Sequence, residues 1–190
     1  GLESDADRWV WLFSFVFVED KFRTLFAMLF GAGCLILLER SAGRSVRKHA
    51  ARMVVLFAIG LAHSILLASN DVLRAYALAG LVVPLLRGLS APALYAIAVG
   101  LVAVHVGGGI VVFGAAILDF YTGRVSTDAA LFADRNFGTN LGAIEYAMRL
   151  GQEGFAERVL RRSGNIPGQL SAVMASIPLN LAMMVVGMAM

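Results

Sequence analysis

GLAHSILLASNDVLRAYALAG, the stretch Gly60–Gly80, decides how the rest of the chain is read. Two apolar runs meet at Ser69-Asn70-Asp71, residue types that end one helix and open the next. The first run carries His63, and the second opens with Arg74 and Tyr76. Groups able to ionise or hydrogen-bond thus gather at one mouth of two otherwise greasy helices. Such groups are costly near hydrocarbon, and in a membrane segment they mark a site by default.

The composition around this stretch agrees with a bilayer. Hydrophobic residues make up 59% of the chain and charged residues 15%, with a mean hydropathy of +0.77. Soluble domains carry roughly 45–50% apolar and about 25% charged residues, so the chain is an integral membrane protein. The formal charge of +3 does not point to nucleic acid. Much of the basic excess sits between Glu39 and Arg52, flanked by apolar segments, where the positive-inside rule accounts for it. A stacking groove and a continuous basic face are both missing. Cys34 is the single cysteine, so an internal disulfide and multi-cysteine zinc sites are excluded. The chain starts at Gly1 and stops at Met190 inside an apolar segment, and is read as a piece of a longer protein without a signal peptide at its start.

Working outward, the fold class is all-α, a polytopic helical membrane protein with about five transmembrane helices plus interfacial and amphipathic ones. Residues 9–18, WVWLFSFVFV, are too short to span a bilayer, and Trp9 and Trp11 suit the headgroup zone, so an interfacial helix is expected. Spans are expected at 22–38, 53–68, 72–86, 93–118 and 169–190. In the first, Ala27 and Gly31 lie one turn apart, a spacing that lets helix backbones approach closely in lipid. Gly107-Gly108-Gly109 in the fourth predicts local loosening or a bend, and Pro178 with Asn180 a kink in the last. The basic loop 39–52 is expected in the cytoplasm. The segment 119–168 is then extracytoplasmic, with two short amphipathic helices broken at Gly151, Gly154 and Gly164-Asn165-Ile166-Pro167.

Each candidate site residue has two readings. His63 as a neutral imidazole would take a proton from a hydroxyl or amine, with Asp71 orienting it, provided a turn folds Asp71 back. The structural alternative is a hydrogen bond to a neighbouring helix. Arg74 would hold an anionic substrate group; alternatively Asn70 or Asp71 caps the helix and Arg74 pairs with the carboxylate. Tyr76 is a substrate contact or a packed aromatic with one hydrogen bond. Lys21 and Arg23 would complete a basic wall at the mouth, or else pair with Glu19 and Asp20. His105 must face the bundle or a wet cavity and is a candidate proton relay. The Arg44–Arg52 loop orients the chain, with coenzyme A phosphates or acidic lipid headgroups as further ligands. No tight cluster of metal ligands is present.

KFRTLFAMLFGAGCLILLER at Lys21–Arg40, the basic loop after it and Gly60–Gly80 together resemble the bacterial YeiB-like family of inner-membrane proteins, as does EYAMRLG at Glu145–Gly151. That family is distantly similar to transmembrane acyltransferases of the heparan-alpha-glucosaminide N-acetyltransferase type. The resemblance implies a multi-pass protein of the bacterial inner membrane that passes an acyl or small group from a cytoplasmic donor, a coenzyme A thioester, to a small-molecule or glycan acceptor outside. His63 is then the base, Asp71 its orienter, and Arg74 with Lys21 an anion clamp. The Arg-Gly-led helix of that superfamily and the segment carrying its catalytic His are absent from this chain, so no histidine inherits that role by motif. The alternatives are a transporter or permease component, using His105, the triple glycine and Pro178, and a structural or assembly protein.

Overall fold

The computed structural model describes residues 9–10, 21–40, 45–68, 71–122 and 141–190, and the regular elements among them are all α-helices. In chain order these are α1 (Lys21–Glu39), α2 (Ser45–Leu66), α3 (Leu73–Gly80), α4 (Val83–Leu86), α5 (Ala91–Tyr121), α6 (Leu141–Gln152), α7 (Phe155–Gly164) and α8 (Ile166–Ala189). Among the described residues 4 helices are long and apolar enough to cross a membrane: α1, α2, α5 and α8. The chain is a multi-pass membrane protein. Of the interfacial helix expected at 9–18, only Trp9 and Val10 are described, both helical and exposed. The remainder of that helix, residues 41–44 of the basic loop, the Ser69-Asn70 turn and residues 123–140 lie outside the described residues.

The stretch expected as a single span at 72–86 consists of two short helices, α3 and α4. Pro84 is the cause. A proline lacks the amide that would bond to the carbonyl four residues back and its ring clashes there, and four back is Gly80, where α3 ends. The chain tightens through Leu81 and Val82, whose amides bond to the carbonyls of Ala77 (3.2 Å) and Ala79 (3.0 Å). The orphaned Gly80 carbonyl is taken by His49 Nε2, which donates to it at 2.8 Å from α2. His49 is therefore buried, although its neighbours Arg47 and Lys48 are exposed. Helix α2 begins at Ser45, so the basic stretch expected as a loop is largely the first turns of a helix.

Helix α8 is the hub, packing on α1, α5 and α3, while α2 packs on α3 and α7. Between lipid-embedded helices there is no hydrophobic driving force, so close van der Waals approach has to hold them. On α1 the buried stripe is Ala27, Gly31, Cys34 and Leu38. A side chain at Gly31 would meet Met184 Cα at 2.6 Å, and one at Gly187 would meet the Met28 carbonyl carbon at 2.6 Å. The two backbones touch through reciprocal glycines. Gly33 has open space around it and takes no part.

Helix α3 is enclosed on nearly all sides, which explains its small side chains: Ala75, Ala77, Ala79 and Gly80 are all buried. Helix α5 is the opposite case. Leu94 and Ala98 join the core, whereas Val99, Ile110, Val111 and Val112 are exposed. It runs unbroken from Ala91 to Tyr121 through the three glycines. Helix α7 is amphipathic, starts with Glu157 accepting from the Gly154 amide (3.0 Å), and leans on α2 through Arg162 Nη1, 3.5 Å from the Ile65 carbonyl.

Candidate functional site

The start of α3 is built around one carboxylate. Asp71 precedes the helix, and its side chain accepts from the free amides of Leu73 (Oδ1, 3.3 Å) and Arg74 (Oδ2, 3.2 Å), satisfying donors that the first turn leaves unpaired. The same Oδ2 accepts from Arg74 Nε at 3.3 Å. His63 Nδ1 of α2 lies 3.3 Å from Oδ1, so the chain does fold Asp71 back onto the preceding helix. The separation is that of an ion pair, but the ring nitrogen is not aligned for a hydrogen bond. The Asp71 side chain is 2% exposed and that of His63 is 37% exposed, so the carboxylate is interior while the imidazole reaches the surface.

Gly60 makes this approach possible. A side chain there would meet Asp71 Oδ2 at 2.8 Å and the Arg74 amide at 2.9 Å. Arg74 is 1% exposed. A buried guanidinium is tolerated only where partners offset its desolvation. Asp71 supplies one, yet Arg74 Nη1 has no partner among the described residues.

Arg74 lines a cavity of about 420 Å³ between the start of α3 and the first half of α8. Asp71 and Arg23 line it as well, together with Gln169, Ser176 and Asn180. Arg23, Asp71 and Arg74 are the charged side chains among the described residues of its lining. Gln169 Nε2 donates to the Arg162 carbonyl at 2.8 Å, which fixes the amide's orientation, and Oε1 is then buried without a partner among the described residues. Asn180 Nδ2 donates to Ser176 at its carbonyl (3.0 Å) and Oγ (3.2 Å). Two of the lining residues, Arg74 and Gln169, thus each keep one buried polar atom without a hydrogen-bond partner among the described residues. Among the described residues no three His, Cys, Asp or Glu side chains gather, so none is set up as a metal site.

Of the residues singled out in the sequence, His63, Asp71 and Arg74 come together, and Arg23 joins them from α1. Tyr76 points elsewhere. Its hydroxyl donates to the Arg23 carbonyl at 2.6 Å, tying α3 to α1, and its ring packs 5.7 Å from that of Phe30. It lines a separate apolar groove with Phe26, Leu29 and Phe30. Lys21 is exposed and does not line the polar cavity. His105 is half-buried on α5 and is not among the residues lining that cavity. Sequence reasoning missed Gln169, Ser176, Asn180 and His49. The α8 residues carried a readable signal, since Gln169, Val173, Ser176 and Asn180 recur at the three-to-four spacing of one helix face.

The chain matches no family model, and no solved structure matches it. It is 34% identical over 74 residues to the uncharacterized protein YxaH of Bacillus subtilis (strain 168), covering 37% of this chain and 18% of YxaH. It is 33% identical over 193 residues to the uncharacterized protein YeiB of Escherichia coli (strain K12), an alignment covering 100% of this chain and 46% of YeiB. The chain therefore spans less than half the length of YeiB. Neither relative's name carries an acyltransferase activity. The likeness to YeiB is sustained over the whole of this chain.

Proposed function

We propose that the Asp71 end of this bundle is the extracytoplasmic acceptor site of an inner-membrane acyl or small-group transferase. The positive-inside rule supports the orientation, with Arg47, Lys48 and Arg52 at the opposite end of α2 facing the cytoplasm. The observation that carries the chemistry is the 3.3 Å approach of buried Asp71 Oδ1 to His63 Nδ1. A carboxylate beside Nδ1 favours the tautomer with the proton there and leaves Nε2 free as a base. An acceptor hydroxyl or amine gives its proton to Nε2 as its oxygen or nitrogen bonds to the acyl carbon. The bond to the donor's sulfur breaks, and the proton passes to the departing thiolate. Arg74 and Arg23 hold an anionic part of the acceptor.

His63 is the residue to test because its exposure separates chemistry from folding. In reconstituted full-length protein given a labelled acyl thioester, His63→Ala lowers the transfer rate by roughly 10²–10⁴-fold with an unchanged unfolding midpoint. Wild-type transfer rates in that variant would exclude the base.

A second reading, transport, draws on the break between α3 and α4. Discontinuous helices beside buried polar groups are the usual site architecture of secondary transporters. Solute flux without group transfer in the same vesicles would favour it.

A further inference from the structure

We infer that the ligand of this site is an acidic phospholipid: a phosphodiester headgroup in the polar cavity and an acyl chain in the apolar groove beside it. The inference rests on the anion-binding half of the reading above and is independent of the transfer step. The cavity of about 420 Å³ and the groove of about 650 Å³ are neighbours, because Arg23 and Val72 line both. One is edged by Arg74, Asp71, Gln169 and Asn180. The other is walled by Phe26, Leu29, Phe30, Leu73 and Tyr76. A polar compartment adjoining an apolar one suits an amphiphile, whereas a free anion would leave the groove unused.

Charge and hydrogen-bonding capacity narrow the class. Arg23 and Arg74 both line the polar cavity, and a phosphodiester, which carries one negative charge at neutral pH, is a ligand that arginines recognise. Arg74 Nη1, buried and unpartnered, is the donor for a phosphate oxygen. Gln169 Oε1, also buried and unpartnered, requires a donor from the ligand, which a headgroup hydroxyl supplies and a choline cannot. Phosphatidylglycerol has both features. The groove's outer wall, Phe26 and Leu29, is 61% and 59% exposed, so an acyl chain can enter sideways from the bilayer without leaving hydrocarbon.

The test is native mass spectrometry of the full-length protein from nanodiscs of phosphatidylcholine with phosphatidylglycerol. It is run with and without glycerol 3-phosphate or inorganic phosphate as a chainless competitor. The expected result is retention of phosphatidylglycerol over phosphatidylcholine, with neither competitor displacing it. Arg23→Gln and Arg74→Gln each weaken retention by about tenfold or more, the scale of one lost charge-assisted hydrogen bond. Phe26→Ala with Leu29→Ala, on an exposed wall where folding is not at stake, weakens it roughly tenfold. Gln169→Leu, close in size, narrows the preference over phosphatidylcholine. If the chainless phosphates bind as tightly and the groove variants change nothing, the lipid inference falls while the anion site stands. If no anion of either kind binds and the arginine variants behave as wild type, both fall.

Discussion

A single buried imidazole stands in for a backbone amide near the start of α2. Pro84 cannot donate to the Gly80 carbonyl, and His49 Nε2 does so from another helix at 2.8 Å. Removing it leaves a buried acceptor unpaired, which costs about 1–3 kcal/mol. His49→Ala should therefore lower the unfolding midpoint in detergent measurably, and His49→Gln, which keeps a donor within reach, should recover part of the loss. An unchanged midpoint in His49→Ala would refute the pairing. In the sequence His49 sits among arginine and lysine and reads as one more polar residue of a basic loop. His63, Asp71 and Arg74 stood out because they interrupt apolar runs. Gln169 and Asn180 did not, since an amide near a helix start or beside a proline reads as a boundary. Which polar atoms lack partners is a property of packing, and spacing alone does not reveal it.

Helices in lipid meet where side chains are smallest, and α1 against α8 is the clearest case in this molecule. Gly31→Val would drive a branched side chain into the Met184 backbone. Overpacking of this kind costs about 1–3 kcal/mol, and more where the obstacle is backbone. Gly33→Val, two residues along and facing open space, should cost far less. Comparing folded yield and unfolding midpoint of the two variants checks the contact, and equal losses would contradict it. The spacing of Ala27 and Gly31 announced a packing face from sequence, but nothing in that stretch names Gly187 as its counterpart. The break within residues 72–86 was not legible for a related reason. Hydropathy over 72–86 is that of a membrane helix, while the outcome is set by Pro84 together with a distant histidine able to serve the freed carbonyl. The long helices were legible because apolar length is a local property. The way they assemble is not.

For the molecule as a whole, orientation is the property on which both the transfer reading and the lipid inference depend. With Cys34 replaced by alanine, Ser163→Cys on α7 should react with a membrane-impermeant maleimide in intact cells, and Lys48→Cys at the start of α2 only after permeabilisation. Labelling of both from one side would invert or abolish the proposed access to the His63 mouth. The hub position of α8 has an effect in time as well as in space. Gly187 leaves the ribosome about 150 residues after Gly31, which at ordinary synthesis rates is roughly 8–30 s. Throughout that interval the earlier helices are in the bilayer with a bare glycine seam and an arginine that has only its aspartate for company. The chamber lacks its far wall until the latecomer slots in, so the cavity between α3 and α8 is among the last features of the fold to form.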